Sequence, residues 1–310
     1  MNSLQIFSTR RSKGFFLAGL GAALAAALVV SLLIGSVKAD PRDIFAALLG
    51  RDRESTTARI ILYSRLPRTC AALLAGAALA VSGMVIQTVL NNPLASPSVI
   101  GVNSSAGFAV ALVCALFPTM QKHTPLIAFI GALAGVLLVM VLAQSTVAAR
   151  ITVVLAGVAI SNLFNAGIDA VVTLVPDALN SVADFRIGGF TGVTMSQLAA
   201  PARIIVVSRV LLLTLSHQLD ILSLGTDTAK SLGLAVGRMR IVFLILAAAL
   251  AGAAVSFAGL LGFIGLIVPH MMRRLAGEDS GILLAATALG GALFMVLCDL
   301  VARVLFSPFE

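Results

Sequence analysis

The sequence predicts an all-α, polytopic membrane protein. Of its 310 residues, 59% are hydrophobic and only 11% are charged, whereas an ordinary soluble domain has about 25% charged residues. The mean hydropathy of the chain is +1.08. A soluble fold of this composition would expose many apolar side chains to water. The composition therefore excludes a soluble enzyme, a disordered protein and a nucleic-acid-binding domain as default interpretations.

Apolar runs predict nine membrane spans, because about 20 apolar residues cross a bilayer. The runs are 15–37, 66–90, 99–117, 126–147, 151–175, 198–215, 241–258, 263–275 and 282–301. The first run follows three basic residues, but it is too long for the core of a signal peptide. We interpret it as a retained helix with a cytoplasmic amino terminus.

Polar and proline-containing segments separate these runs. Asn91-Asn92-Pro93 ends the second run and Pro118 ends the third, because proline clashes with a continuing helix. The segment 176–192 is a polar connection. The segment 216–240 reads as a short amphipathic helix with several glycines, too polar to span a membrane.

The formal charge of +8 does not indicate nucleic acid in a chain of this composition. Basic residues flank membrane spans, where they orient the protein. The positive-inside rule is ambiguous here, because a cytoplasmic amino terminus leaves the basic cluster of 38–68 outside. Such an outward basic surface could receive an acidic partner by electrostatic complementarity.

No cofactor or metal site is expected in this chain. The three cysteines and three histidines lack the spacing of a metal site. The sequence also has no glycine-rich phosphate-binding loop followed by Lys and Ser or Thr. ATP with Mg²⁺, if it is used, is therefore expected on a partner ATPase.

Four stretches carry a resemblance to a known family. They are RLPR (65–68); GMVIQ (83–87) with NNPLASP (91–97) and IGV (100–102); LSLG (222–225) with AKSLG (229–233); and GFIGLIVPHMMR (262–273) with DLVAR (299–303). Together, and in this order over nearly the whole chain, they resemble the FecCD/BtuC permeases. These are the transmembrane subunits of type II ABC importers for ferric siderophores, haem and cobalamin.

The resemblance implies a BtuC-like helical bundle in the bacterial cytoplasmic (inner) membrane, formed by one permease domain over residues 1–310. It also implies a second permease copy (a homodimer, or a heterodimer with a paralogue), two ATP-binding subunits and an external substrate-binding protein. The family has a tenth span after the position of Glu310. This sequence does not contain it, and we expect truncation rather than a native nine-span protein.

The resemblance assigns three sets of candidate residues. Arg65, Arg68 and Arg303 match positions that dock the binding protein; lipid headgroup contacts are the alternative, and Arg303 could also pair with Asp299 one turn earlier. Leu222, Leu224, Gly225, Ala229, Lys230, Leu232 and Gly233 match the ATPase-coupling helices, with a membrane-surface helix as the alternative. Asn91, Asn92, Pro93, Leu94, Ser96 and Pro97 match a region near the cytoplasmic gate, with a plain interhelical turn as the alternative.

The expected function is that of a permease subunit in an ATP-driven importer, not of an enzyme. The NPLASP stretch resembles ferric-siderophore members of the family more than cobalamin members, which favours a ferric siderophore as cargo and leaves haem and cobalamin open. The alternative is a secondary transporter coupled to an ion gradient, for which Asp169 and Arg203 are the only hints. The roles of Asp169, Arg203 and Arg209 are not assigned.

Overall fold

The structure is a computed structural model that describes residues 10–34, 55–144 and 149–305. These residues form helices and connecting turns, with no strand among them. The helices are α1 (Arg10–Leu33), α2 (Thr56–Ile60), α3 (Leu66–Leu90), α4 (Val102–Leu116), α5 (Thr124–Gln144), α6 (Ala149–Leu174), α7 (Leu179–Ile187), α8 (Met195–Thr214), α9 (Ser216–Ser223), α10 (Thr226–Ser231), α11 (Val236–Ala258), α12 (Ile264–Ala276) and α13 (Ser280–Leu305).

Seven helices in the described ranges are long and apolar enough to cross a bilayer. They are α1, the continuous helical stretch from α2 to the end of α3 (Thr56–Leu90), α5 with the 3₁₀ turn Pro118–His123 before it, α6, α8, α11 and α13. The predicted count of nine spans is therefore not confirmed. The third predicted span is a helix of 15 residues and the eighth is a helix of 13 residues, both shorter than the roughly 20 residues that a bilayer requires.

Helix α3 forms the centre of the bundle and packs against α11, α12 and α13. Two glycine pairs allow the closest approaches. A Cβ on Gly76 would overlap the carbonyl oxygen of Gly291 on α13, and a Cβ on Gly83 would overlap that of Gly265 on α12. Small residues at such crossings let helix backbones touch. Close packing of this kind stabilises helix pairs in a membrane, where the hydrophobic effect does not drive helices together.

A second group of helices surrounds this centre. Helix α4 packs on α5 and α6, and α11 joins the two groups by packing on both α3 and α5. Helix α8 packs on α11 and begins with a capping box, in which Thr194 and Gln197 satisfy each other's backbone N–H groups. Exposed leucines and valines cover the outer faces of α5, α6 and α8, as expected for surfaces that meet lipid.

The connections differ from the predicted ones in two places. The polar connection 176–192 contains the helix α7. The segment 216–240 is not one amphipathic helix: it holds α9 and α10, and its last residues belong to α11. Gly225 separates α9 from α10 with φ of +110°, a conformation that residues with a side chain rarely adopt.

Candidate functional site

The predicted site residues lie at opposite ends of the bundle. The carboxyl end of α1, the start of α3 and the carboxyl end of α13 meet at one end, which we call the arginine end. The carboxyl ends of α3 and α12, the start of α13 and the α9–α10 segment (216–235) meet at the other, which we call the loop end. Docking residues were predicted for the first end, and coupling and gate residues for the second.

At the arginine end, one carboxylate holds two guanidinium groups. Asp299 Oδ1 accepts from Arg68 Nε at 2.9 Å, and Asp299 Oδ2 lies 3.1 Å from Arg303 Nε. The Arg303 pair confirms the i,i+4 interaction expected from the sequence. The side chain of Asp299 is only 5% exposed and that of Arg303 only 2%. The pair is therefore nearly dry, and each charge depends on the others for compensation.

The same end fastens α1 to the bundle. Arg65 donates from one Nη to the carbonyl oxygens of Leu32 and Leu33, at 3.0 and 3.2 Å. These carbonyls belong to the last turn of α1, where backbone acceptors have no partner within the helix. Arg303 donates to both the carbonyl and the hydroxyl of Ser31. The cations thus complement the negative end of the α1 dipole.

All three predicted docking arginines therefore contact groups within this chain. Arg65 and Arg303 are buried, and the Arg68 side chain is 16% exposed. Any carboxylate from outside would share or replace contacts that Asp299 and the α1 carbonyls provide. Docking at these residues stays a prediction, and Arg68 is the most accessible of the three.

At the loop end, the predicted coupling residues divide into two sets. Leu222 and Ala229 are fully buried and anchor the α9–α10 segment. Leu224 and Leu232 are 61% and 58% exposed. The exposed set also includes Lys230 and Gly233, and Gly225 is half-buried. The exposed apolar side chains form a surface that a partner protein could cover.

The predicted gate region is a closely bonded turn. Asn91 ends α3 with φ of +46°, and the N–H groups of Asn91 and Asn92 donate to the carbonyls of Thr88 and Gln87, which is a Schellman cap. The Asn92 side chain then accepts from the N–H of Leu94 at 3.0 Å, as asparagine does in turns. A role at a gate stays a prediction.

The remaining residues of the predicted gate region differ in their exposure. Pro93 and Leu94 are exposed, Ser96 is half-buried and Pro97 is buried. Pro97 lies against the backbone of Gly265 on α12. The turn therefore presents Pro93 and Leu94 outward and packs its second proline inside the bundle.

Sequence reasoning missed a polar contact between α3 and α12. Pro269 has no N–H for the carbonyl of Gly265 one turn earlier. Gln87 supplies the missing donor through its Nε2, 3.3 Å from the Gly265 oxygen. Its Oε1 accepts from Arg273, which also donates to Thr88 at 3.0 Å. Pro269 inside an apolar run signals a carbonyl without its helical donor, but the sequence does not identify Gln87, which lies 178 positions from Gly265.

A polar stripe on α6 was also missed. Asn162, Asn165, Asp169 and Thr173 are all exposed on this apolar helix. At 3.6 residues per turn their spacing places them on one face, over a length of about 16 Å at about 1.5 Å per residue. Polar groups are costly in lipid, so this face is expected to meet water or protein.

The outer end of the stripe contacts α7. Arg186 donates to Asp169 Oδ1 at 3.1 Å, and both side chains are largely exposed. The end of α11 and the residues after it hold α7 in turn: the N–H of Leu260 donates to the carbonyl of Phe185, and the N–H of Gly189, just after α7, donates to the carbonyl of Ala258. This arrangement fixes a short helix at the arginine end, beside the stripe.

A cavity of about 660 Å³ lies between α7, the start of α8 and the end of α11. Its lining is mixed in polarity and includes Lys122, Asp184, Gln197, Ser256 and Phe257. Helix α11 begins at Val236, next to the α9–α10 segment of the loop end, and ends at Ala258 beside the cavity. The cavity therefore lies at the arginine end. In the described ranges, no group of three or more His, Cys, Asp or Glu side chains could hold a metal ion.

Comparison with protein families and known sequences gives consistent matches. The profile of the FecCD transport family matches residues 23–310. An Fe³⁺-citrate import system permease protein of Bacillus subtilis is 34% identical over 283 residues, which cover 91% of this chain and 84% of the relative. A hemin transport system permease protein of Yersinia pestis is 34% identical over 291 residues, 91% of this chain and 87% of the relative.

Two further comparisons extend these matches. A ferric enterobactin transport system permease protein of Escherichia coli is 34% identical over 290 residues, covering 93% of this chain and 86% of that protein. A solved structure of a metal-chelate type ABC transporter in an inward-facing conformation superposes with a TM-score of 0.84 at 29% identity. It covers 96% of this chain and 93% of its own.

Proposed function

This chain belongs to the FecCD transport family, and from that membership we propose that it moves an iron chelate from a docked binding protein into the cytoplasm. It is a permease subunit of an ABC transporter, a multi-pass membrane protein and a transport component rather than an enzyme. The observation that carries the proposal is the family match over residues 23–310. The fold of a metal-chelate type transporter supports it over 96% of the chain.

The proposed cargo is a ferric siderophore. Relatives of near-equal identity are named for Fe³⁺-citrate, ferric enterobactin and hemin, which supports an iron chelate as the cargo class. Haem and cobalamin are the competing cargoes. The proposed location is the bacterial inner membrane, where two copies of the permease, or this chain and a paralogue, would enclose one pathway.

ATP with Mg²⁺ would be bound by two partner ATPase subunits, since this sequence has no phosphate-binding loop motif. Their contact surface would be the α9–α10 segment. The exposure of Leu224, Lys230 and Leu232 supports this proposal. Because Leu222 and Ala229 are buried in the bundle, a movement of the exposed surface would be passed to the helices that they contact. A membrane-surface role is less favoured, because the exposed apolar side chains are few.

The binding protein would dock at the arginine end. The support is the pair of guanidinium groups on one carboxylate, with the guanidinium of Arg65 on the neighbouring carbonyls of α1, which leaves a local excess of positive charge. A carboxylate of the binding protein would meet Arg68 first, because its side chain is the most exposed of the three. A guanidinium group presents donors in a geometry that suits a carboxylate.

The cargo pathway would run along the polar stripe of α6. An exposed line of amide, carboxylate and hydroxyl groups on an apolar helix supports this assignment. Asp169 and Arg186 would stand at its outer mouth. At the other end, the turn from Asn91 to Pro97 would lie near the cytoplasmic gate.

Uptake into vesicles tests the function. The permease is reconstituted with its partner ATPase, ATP is enclosed, and the binding protein with radiolabelled ferric siderophore, haem or cobalamin is added outside. We expect ferric siderophore uptake that requires ATP and persists when ionophores collapse ion gradients. An ATPase variant unable to hydrolyse ATP is the control. Uptake that ignores ATP and follows an ion gradient would instead establish a secondary transporter.

A further inference from the structure

Asp220 connects two elements at the loop end that are distant in sequence. Its Oδ1 accepts from the backbone N–H of Ser280 at 2.8 Å, across 60 positions. Asp220 lies on α9, the first helix of the α9–α10 segment, and Ser280 is the first residue of α13. The bond therefore joins the proposed ATPase contact segment to the start of a separate long helix.

The packing around this bond is firm. Leu219 and Leu222 on α9 are fully buried, and α9 packs on both α3 and α13. A Cβ on Gly281 would lie 3.9 Å from the hydroxyl of Ser216, the first residue of α9. Helix α9 consequently lies against the first turn of α13, with its carboxylate as the polar contact.

Helix α13 reaches from this contact to the arginine end. Its 26 residues contain no proline, and Ser280 and Asp299 are separated along it by about 28 Å at about 1.5 Å per residue. Asp299 holds Arg68 and Arg303. Midway, Gly291 lies directly against Gly76 of α3, so a displacement of α13 would carry α3 with it. One continuous helix thus has the ATPase contact at its start and the docking cluster near its end.

We propose that the Asp220–Ser280 hydrogen bond passes movement of the α9–α10 segment to α13, and that Asp220 is a positioning residue for ATP-driven transport. The inference rests on the proposed function, because it requires an ATPase to move that segment. Asp220 acts through α13 and contacts neither ATP nor cargo. A shift at the loop end then changes the setting of Arg68 and Arg303 at the arginine end.

Asp279 provides a matched control. Its Oδ1 accepts from the N–H of Ile282 at 3.0 Å, and its carbonyl accepts from Leu283, so it caps α13 from within. Asp279→Ala and Asp220→Ala each remove one carboxylate acceptor from the same helix start. Only Asp220→Ala breaks a link between two elements. Asp220→Asn keeps an oxygen acceptor and should keep the link.

The test measures chelate transported per ATP hydrolysed in vesicles for these variants. We expect Asp220→Ala to lower this ratio about fivefold, the factor that corresponds to one ordinary hydrogen bond. Asp220→Asn and Asp279→Ala should stay near the wild-type ratio. Equal losses for Asp220→Ala and Asp279→Ala would show a capping role alone and overturn the proposal, as would a wild-type ratio in Asp220→Ala.

A second measurement separates this inference from the proposed function. Amide hydrogen exchange of residues 280–283 is followed in the assembled complex with and without ATP. The proposal expects an ATP-dependent change in the wild type and Asp279→Ala that is lost in Asp220→Ala; a change retained in Asp220→Ala overturns it. An assembly that hydrolyses ATP yet moves no chelate contradicts the proposed function. In that case the hydrogen-exchange pattern alone tests whether Asp220 links the α9–α10 segment to α13.

Discussion

Asp299 is the residue on which the arginine end depends most. It compensates Arg68 and Arg303 where little water can reach them. Asp299→Ala would leave two guanidinium groups without their carboxylate, and we expect a loss of about 3 kcal/mol in the free energy of unfolding. Thermal unfolding of the purified permease in detergent measures it.

The exposed pair of Asp169 and Arg186 is the matched control for that experiment. Both side chains are about half exposed or more, and exposed pairs contribute at most about 1 kcal/mol. Asp169→Ala should therefore shift the unfolding temperature much less than Asp299→Ala. Equal shifts would mean that burial does not decide the strength of the Asp299 interactions.

Spacing along the chain predicts only part of this cluster. Residues four apart on a helix face each other, and the structure confirms the pair of Asp299 and Arg303. Arg68 lies 231 positions from Asp299, so no local pattern could bring them together. For the same reason the sequence could not predict that Arg65 caps the carbonyls of α1, which depends on how α1 and α3 pack.

At the scale of the element, the α9–α10 segment divides into a buried anchor and an exposed side, which is the proposed contact surface for the ATPase. We expect Leu224→Asp to weaken association with the ATPase about tenfold, because it places a charge where an apolar side chain would be covered. The unfolding temperature should not change, since Leu224 is exposed. Binding of the purified ATPase to the permease in lipid nanodiscs measures the affinity.

Two comparisons make this prediction specific. Leu179→Asp introduces the same charge at an exposed leucine of the opposite end and should leave ATPase affinity unchanged. Leu222→Ala removes a fully buried side chain and should lower the unfolding temperature. If Leu224→Asp bound the ATPase as tightly as the wild type, the α9–α10 segment would not be the contact surface.

Helix lengths show where hydropathy fails to predict an element. An apolar run reports that a segment avoids water, but not whether it crosses the whole bilayer. The run 263–275 is a helix of 13 residues that begins after Phe263, whose φ is +64°. The run 99–117 loses its first residues to a turn that ends at Gly101. Glycines and prolines in the sequence indicate both of these helix breaks, but hydropathy alone still predicts nine spans.

At the scale of the whole molecule, the proposed cargo pathway runs along the polar stripe of α6. We expect the double variant Asn165→Leu/Asp169→Leu to reduce chelate uptake about tenfold, because it removes two polar groups from the proposed pathway. Expression in the membrane should not change, since both side chains are exposed in the protomer. Leu163→Ala, an exposed leucine on the flank of the same helix, should transport as the wild type does. Normal uptake by the double variant would remove α6 from the pathway.

For the molecule as a whole, composition predicts a membrane bundle and the four motifs predict the family, which the comparisons confirm. The stripe was overlooked because its members are scattered singly through an apolar run, and only helical spacing and exposure bring them onto one face. The link from Asp220 to Ser280 depends on tertiary packing. The sequence therefore predicts the family of this chain better than it predicts the tertiary contacts between the two ends of the bundle.

The central proposal is that this chain is the permease of an ATP-driven importer, with its binding protein docked at the arginine end and its ATPase bound at the loop end. The most direct test measures ATP hydrolysis by the reconstituted permease and ATPase as chelate-loaded binding protein is added. The account predicts that hydrolysis rises with binding protein and saturates. Hydrolysis that stays constant at every concentration of binding protein, while chelate uptake follows an imposed ion gradient, would contradict it.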